Sequence, residues 1–175
     1  MFTQAIKDAE NLLAHFNILN TLPPPPDIEV LKRAGLIMAM TAWETYVEDR
    51  VNEAVATRLA AVTDNTISEF IRNRLDEEIK RLHNPNAEKT LQLFRDYAGV
   101  DLANSWAWNN FGPQLVRDRL NDYLKLRGDI VHRARVVEAG PPRAQPVTKE
   151  GLQKAITFLK NLVAATEAAL VSKAE

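Results

Sequence analysis

Apolar residues recur along most of the chain at intervals of three and four, which is the period of an α-helix and not of a β-strand. A first helix is predicted over 3–19. The four prolines at 23–26 end it, because proline lacks the amide donor and its ring clashes with the preceding turn. Asp27 is a suitable N-cap for a long second helix over about 27–61. Residues 34–40 are apolar on every side of that helix, so we expect it to run through the middle of the fold.

Two shorter helices are predicted next. Thr66 and Glu69 have the spacing of a capping box, which predicts the start of a third helix that ends near His83. The Asn84-Pro85 pair marks the start of the fourth helix, since proline fits the first helical turn. We therefore expect polar residues to set the beginning of both helices.

The remainder of the chain predicts a loop and two more helices. Residues 98–112 are predicted to form the loop, and a fifth helix begins after it. The segment from Arg135 to Val147 is predicted to be irregular, and the last helix spans about 149–172. The sequence therefore predicts an all-α fold, with one domain over 1–175 built as a bundle of about six helices around a long central one.

The composition of the chain excludes several classes of functional site and partner. The chain has 22 Lys plus Arg against 23 Asp plus Glu, a net charge of -1, which excludes a globally basic nucleic-acid coat. It has no cysteine, which excludes a disulfide framework, a thiolate metal site and a cysteine nucleophile. No apolar run reaches the roughly 18 residues that span a membrane, and the charged first eleven residues do not resemble a signal peptide. We expect a cytoplasmic protein without a membrane partner.

The usual motifs for metals and nucleotides are missing from the sequence. His15, His83 and His132 are far apart, and no two of them have the one-turn spacing of a helical zinc pair. Asp129-x-x-His132 is a single copy, whereas a di-iron bundle needs two such motifs. There is no glycine-rich phosphate loop and no nucleophile elbow. We therefore expect no metal and no cofactor.

One constellation on the fifth helix is suited to chemistry. Leu120, Leu124, Arg127 and Val131 lie at helical spacing, which places a guanidinium in an otherwise apolar stripe. A charged group there must find partners, because an isolated buried charge is very costly. His132 follows five residues after Arg127, roughly 140° further round the helix. The two side chains therefore flank a shared surface without stacking on one face.

The residues between them add to this pattern. Gly128 costs about 1 kcal/mol of helix propensity relative to alanine, and its missing side chain lets another backbone or a nucleotide approach closely. Asp129 stands one turn before His132, where its carboxylate is placed to orient the imidazole. The segment thus combines a cation, an open position, a carboxylate and an imidazole.

Residues 127–132 (Arg-Gly-Asp-Ile-Val-His) resemble the Arg-x4–6-His motif of the HEPN superfamily. Two further features are similar: the segment Ala42-Trp43-Glu44-x-Tyr46-Val47 on the long central helix, and the position of the motif on a late helix that is followed by a loop and a terminal apolar helix. The likeness covers the layout of residues 27–170. It is strongest to the prokaryotic RiboL-PSP and MAE-type branch.

The resemblance implies a metal-independent endoribonuclease that works as a homodimer, with two copies of the motif meeting across a two-fold axis. RNA is the implied substrate, and the implied products are a 2′,3′-cyclic phosphate and a 5′-hydroxyl. His132 suits the proton transfers, because an imidazole has an ordinary pKa of about 6.5. Arg127 suits the phosphate, since its planar fork of donors stabilises charge on the non-bridging oxygens. The implied role is a toxin or defence effector with a separate antitoxin or regulatory protein.

Accessory roles follow for three residues. Many catalytic members place Asn, Asp or another polar residue directly after the arginine, where this chain has Gly128. The auxiliary polar role is then absent or moved to Asp129. Glu44 on the central helix is expected to act as a structural partner of Arg127 or Arg50 and not in catalysis.

The departure at Gly128 keeps other functions open. The main alternative is a non-catalytic HEPN-like helical module that binds a protein or RNA. A third interpretation is a small-ligand four-helix regulator that uses Asp129 and His132 for a metal. Local charge favours an anionic ligand: residues 113–145 carry seven basic and four acidic residues, a net +3, while the rest of the chain has 15 basic and 19 acidic residues, a net −4.

Within that basic segment, Lys125, Arg133 and Arg135 are the candidate RNA-binding residues. The alternative is a solvated helix face with ion pairs such as Asp129–Arg133. Trp106 and Trp108 in the loop could stack on bases or sit at a protein interface, but we favour the interpretation that they anchor the loop to the core. Trp43 is predicted to be a core residue.

Overall fold

A computed structural model describes residues 2–25, 27–82, 84–133 and 147–172. Within these ranges the chain forms six α-helices and no strand, apart from an isolated bridge between Trp108 and Phe111. The all-α prediction is therefore confirmed. The helices are α1 (Phe2–Leu19), α2 (Glu29–Leu59), α3 (Asn65–Arg81), α4 (Ala87–Ala98), α5 (Pro113–Arg133) and α6 (Lys149–Val171).

The ends of the helices lie close to the predicted ones, but two of the predicted caps are wrong. The carboxylate of Asp64 caps α3, accepting from the backbone N–H groups of Thr66 at 2.8 Å and Ile67 at 3.2 Å. Thr66 therefore lies inside the first turn and does not cap it. Asn86 caps α4 by accepting from the N–H of Lys89 at 2.9 Å, one residue beyond the predicted Asn84-Pro85 start.

Some predictions fall outside the described residues. Pro26, His83 and Arg135 belong to this group, together with nearly all of the predicted irregular segment. α2 begins at Glu29, two residues after Asp27, which takes part in the preceding turn. A difference of that size is ordinary at a helix end.

The central position predicted for α2 is confirmed. No residue from 31 to 51 is fully exposed, so solvent does not reach any side of this stretch freely. Ala39, Met40 and Trp43 are completely buried, as the all-round apolar composition of this helix predicts. Trp43 is therefore a core residue.

The chain forms two compact units, each built from two separate stretches of sequence. The first unit contains residues 1–43 and 121–161, and the second contains residues 44–120 and 162–175. α2, α5 and α6 each contribute to both units. That the chain folds as one domain stays a prediction.

The first unit is packed through small and apolar contacts. Gly35 of α2 lies against the buried Leu152 of α6, and a Cβ on Gly35 would be only 2.7 Å from Cδ2 of that leucine. Lys32 is buried with its Nζ 4.6 Å from the centre of the Phe16 ring and 2.8 Å from a carboxylate oxygen of Glu29. The cation is thus neutralised by a carboxylate and an aromatic face, as a buried charge requires.

The second unit contains a polar network between α2 and α6. The hydroxyl of Tyr46 donates to Oε1 of Glu167 at 2.7 Å. Nε of Arg50 lies 3.0 and 3.1 Å from the two carboxylate oxygens of the same glutamate, and its Nη1 donates to Glu53 at 3.2 Å. These contacts join α2 to α6 within this unit, since Glu167 receives a hydroxyl and a guanidinium together.

Candidate functional site

The Arg-x4-His segment occupies the C-terminal third of α5, in the first unit. Helical geometry separates Arg127 and His132 by a rise of about 7.5 Å along the axis. The imidazole of His132 is exposed, and the guanidinium of Arg127 is half-buried. The end of α5 thus carries an accessible imidazole and a partly shielded guanidinium, groups that can transfer protons and bind an anion respectively.

The predicted apolar stripe of α5 holds for only half its length. Leu120 and Leu124 are buried, but Val131 is 40% exposed, and the buried position near the helix end is Ile130. The expectation that Arg127 stands within a continuous buried stripe is therefore wrong. The buried face rotates away from it towards Ile130, and this leaves the guanidinium half-buried at the border of the core.

Gly128 lies beside open space, as its role in the sequence pattern predicts. A Cβ built at this position would meet no described atom within 4 Å outside the local helix. Among the described residues, the missing side chain therefore serves no close packing contact. Within that part of the chain, the space beside Gly128 leaves room for a ligand or a second protein chain.

The carboxylate of Asp129 does not orient the imidazole in this structure. Asp129 is half-buried, and within the described ranges it forms no hydrogen bond with His132. The orienting hydrogen bond expected from their spacing is therefore not formed here.

The candidate RNA-binding residues are described only in part. Lys125 is exposed on α5 and accessible to an anion. Arg133 ends the helix, but its side chain lies outside the described residues, as does all of Arg135. Elsewhere on α5, in the second unit, Arg117 donates to the carbonyl of Ala103 at 3.1 Å, so that arginine anchors the preceding loop.

Glu44 is placed in the second unit and has a structural contact there. Its Oε1 accepts from the backbone N–H of Asn84 at 3.3 Å, in the connection between α3 and α4. Of its two expected partners, Arg50 instead binds Glu53 and Glu167, while the pairing of Glu44 with Arg127 stays a prediction. Glu44 thus supports the α3–α4 connection.

Sequence reasoning did not identify Glu167, which organises the polar network of the second unit. Burial, the hydrogen bond to Glu167 and its negative charge all raise the pKa of Tyr46, so the phenol stays a donor. The spacing of Tyr46 and Arg50, one helical turn apart on α2, was the available signal for a shared acceptor. Nothing in the local sequence of α6 indicated which carboxylate it would be.

The neighbouring Glu48 has a perturbed carboxyl group. Burial raises the pKa of Glu48, and the negative charges of Glu44 and Asp49 raise it further. The three acidic groups make this part of α2 locally unfavourable for a charged carboxylate. Removal of one charge from the group is therefore expected to stabilise the fold.

The two loop tryptophans have different environments. Trp106 is fully buried, and its Nε1 donates to the hydroxyl of Thr166 at 3.0 Å, which supports the anchoring interpretation. Trp108 is half-buried and stacks on Phe111, with ring centres 5.3 Å apart. Trp106 is therefore not available as a platform for a nucleobase.

No group of three or more His, Asp or Glu side chains in the described ranges is arranged to hold a metal ion. The interpretation as a metal-dependent regulator through Asp129 and His132 gains no support from this part of the chain. In the same residues, none of the helices combines the length and the apolar character that crossing a membrane requires.

Comparison with known proteins gives one result that covers almost the entire chain. The family model described as RiboL-PSP-HEPN matches residues 4–172. Neither a curated protein nor a solved structure matches the chain significantly. The matched range contains all six helices except the first residues of α1, together with the Arg-x4-His segment. The chain therefore belongs to the RiboL-PSP-HEPN family, and this membership suggests an RNase or nucleotide-related function.

Proposed function

We propose that this protein is a metal-independent endoribonuclease that cleaves RNA through attack of a 2′-hydroxyl on the adjacent phosphate. The observation that carries the proposal is the exposed His132 and half-buried Arg127 on the end of α5, beside the open space at Gly128, in a chain of the HEPN family. The imidazole is accessible to a ligand, and the guanidinium is held close to the protein surface.

The proposed step balances without a metal or a co-reactant. The 2′-oxygen forms a bond to phosphorus while the bond from phosphorus to the 5′-oxygen breaks. A base takes the proton of the 2′-hydroxyl, and an acid gives a proton to the departing 5′-oxygen. The products are a 2′,3′-cyclic phosphate and a 5′-hydroxyl. His132 carries the proton transfers, and Arg127 binds the phosphate oxygens on which negative charge grows.

A homodimer provides these groups more completely than one chain does. A single motif has one imidazole, whereas the reaction needs a base and an acid together. Two motifs around a two-fold axis supply two imidazoles and two guanidinium groups to one phosphodiester. The exposed Val131 within the motif favours this arrangement, since contact with a second copy would cover it.

The proposed cellular role is that of a toxin or defence effector acting on RNA in the cytoplasm. The supply of a metal or cofactor cannot limit the activity of an enzyme that cleaves RNA without one. We therefore propose that a separate antitoxin or regulatory protein controls it. This role rests on the proposed chemistry.

A non-catalytic module that binds RNA or a protein is the second candidate. It is favoured by the glycine at 128, where a polar side chain is typical of catalytic members, and by the missing hydrogen bond between Asp129 and His132 in the described structure. In that case the same surface would bind an anionic partner and leave its bonds intact.

RNA cleavage by purified variants tests the proposal. We expect wild-type protein to cleave a labelled RNA in the presence of EDTA and to leave a 2′,3′-cyclic phosphate. The variants His132→Ala and Arg127→Ala should lose about 100-fold or more of the rate. His15→Ala removes an exposed imidazole from α1 and serves as the matched control. An RNA with a 2′-deoxy sugar at the cleaved position should resist.

The outcomes separate the two candidate functions. Cleavage by His132→Ala at the wild-type rate would remove this histidine from the mechanism. RNA binding by the wild type that depends on Arg127, without any cleavage, would establish the binding module instead. Induced expression gives a second readout: wild type should slow growth and degrade RNA in a host without the antitoxin, whereas Arg127→Ala should not.

A further inference from the structure

α3 exposes much of its apolar face. Its apolar positions recur at helical spacing and form a stripe, yet Leu75 is the only residue of this helix that is buried among its 17 residues. Phe70 is 69% exposed and Ile67 is 52% exposed, both on the N-terminal half of the helix. A phenylalanine and an isoleucine close together in solvent are typical of a surface that another molecule covers.

A groove of about 390 Å³ lies beside these residues, within the second unit. We call it the α3 groove, and its lining is contributed by the end of α2, by α3 and by the end of α4. The apolar part of the lining consists of three aliphatic and two aromatic side chains: Val55, Leu59, Ile71, Phe70 and Tyr97. The size and apolar walls of the groove suit the apolar side chains of a helix that lies along it.

Charged groups surround the apolar part of the groove. Arg58 and Arg74 line it against a single aspartate, Asp96. Arg74 binds Glu77 at 3.0 Å. The side chain of Arg58, in contrast, has no hydrogen bond or ion pair with any residue in the described ranges.

The side chain of Arg58 packs on the backbone at the end of α4. Its guanidinium lies on Gly99, where a Cβ would be 2.6 Å from Nη1. Gly99 has a φ of +60° and caps the helix in the left-handed conformation, so no side chain competes for this space. Arg58 also lines a neighbouring cavity of about 330 Å³ together with Arg50. The groove thus presents an arginine that packs on the backbone of Gly99 and that pairs with no carboxylate of the described residues.

We propose that the α3 groove binds an amphipathic helix of a partner protein that carries acidic residues beside its apolar face. The partner's apolar side chains would cover Phe70 and fill the groove, and its carboxylates would pair with Arg58 and Arg74. The proposal does not rest on the nuclease activity, because neither Arg127 nor His132 lines the groove.

Two other occupants fit less well. A stable dimer needs about 800 Å² from each partner, which is more than the few side chains of this groove provide, so a second copy is disfavoured. RNA is disfavoured because single-strand binding depends on a continuous basic track as well as on stacking, whereas this groove has only two arginines and also carries Asp96. A short helix with apolar anchors matches both the size and the charge.

Fluorescence anisotropy with synthetic peptides tests this inference. The probe is a labelled helical peptide of about 18 residues with leucines at i, i+3, i+4 and i+7 flanked by glutamates, and the comparison peptide has lysines in place of the glutamates. We expect wild-type protein to bind the glutamate peptide at micromolar concentration and at least tenfold more tightly than the lysine peptide. Full-length protein is used throughout.

Three variants locate the binding. Phe70→Ser should weaken binding of the glutamate peptide about tenfold or more. The fold should persist, because this side chain is mostly exposed. Arg58→Glu should reverse the preference in favour of the lysine peptide. Ile18→Ser removes an exposed apolar side chain from α1 and should change nothing.

Three results would overturn the proposal. They are failure of the wild type to bind the glutamate peptide, equal binding of the two peptides by the wild type, and binding by Phe70→Ser that is as tight as that of the wild type. A change of oligomeric state in Phe70→Ser by light scattering would show a second copy in the groove. Loss of binding to a single-stranded RNA of about 12 nucleotides in Arg58→Glu and Phe70→Ser alike would show RNA as its ligand.

Discussion

The indole Nε1 of Trp106 donates a 3.0 Å hydrogen bond to the hydroxyl of Thr166, and both residues are fully buried. The same hydroxyl donates to the carbonyl of Leu162 at 2.8 Å. The loop after α4 is thereby fixed to α6 within the second unit, by two residues that lie 60 positions apart in sequence.

This pair predicts a stability cost for Trp106→Phe. The substitution removes the donor and leaves a gap in the core, so we expect a loss of about 2–4 kcal/mol in the free energy of unfolding. Trp108→Phe is the matched control, because that half-buried ring stacks on Phe111 and should cost less than about 1 kcal/mol. Urea denaturation measures both. Equal losses in the two variants would contradict the anchoring role of Trp106.

A second prediction concerns the hydrogen bond between Tyr46 and Glu167. Tyr46→Phe removes the donor while Arg50 keeps Glu167 paired, so we expect a loss of about 1 kcal/mol. In Glu167→Ala, the additional change Tyr46→Phe should cost much less, because its acceptor is already missing. The double-mutant cycle from urea denaturation checks the coupling. Additive effects would mean that the two groups do not stabilise each other.

The raised pKa of Glu48 predicts how stability depends on pH. Because the pKa is higher in the folded state, the ionised carboxylate weakens the fold at neutral pH, and this loss disappears below the ordinary glutamate pKa of 4.5. Glu48→Gln should therefore melt at a higher temperature than wild type at pH 7, with the difference vanishing as the pH falls through the folded pKa to below 4.5. Glu69→Gln on the exposed face of α3 is the control. A difference that persists at low pH would argue against an electrostatic cause.

Two glycines in helices predict opposite effects of alanine. Gly128→Ala should stabilise the fold by about 1 kcal/mol, because the new Cβ meets no described atom and alanine favours the helix. Gly35→Ala should destabilise it by about 1 kcal/mol, because the Cβ would be 2.7 Å from Cδ2 of the buried Leu152. Thermal or urea denaturation distinguishes them. Destabilisation by Gly128→Ala would reveal a close neighbour at this position, for example in the dimer.

The composite site makes a prediction about mixed dimers. Arg127→Ala and His132→Ala should each be inactive, but co-expression should restore a small part of the cleavage, because the mixed dimer keeps one guanidinium and one imidazole and lacks only the second copy of each that the complete site has. Light scattering should show a dimer for each variant. If the two proteins are dimeric and exchange subunits yet remain inactive together, the two motifs do not share a phosphodiester.

Helix content was predictable because it depends on local spacing of apolar residues. The all-round apolar stretch of α2 predicted its central burial, and burial of Trp43 followed from it. The cap of α3 was predicted at the wrong residue because Asp64 and Thr66 are both good N-caps only two positions apart. Local sequence does not decide between two such residues.

The site was less predictable, because burial near a helix end depends on what packs there. The spacing of Leu120, Leu124 and Val131 indicated one stripe, yet Val131 is exposed and Ile130 takes the buried position. The acceptor for Tyr46 could not be predicted from the sequence either, since Glu167 lies 121 positions away and no local pattern on α6 distinguishes it. Long-range contacts of this kind are decided by the fold as a whole.

Because each unit is built from two separate stretches of sequence, the order of synthesis affects when each unit can fold. Residues 1–43 are synthesised well before residues 121–161, which complete the first unit. α1 and the start of α2 must therefore wait for those later residues before the contacts of their unit can form. Because the Arg-x4-His segment belongs to the same unit, the nascent polypeptide would acquire its proposed chemistry only after residue 161 has left the ribosome.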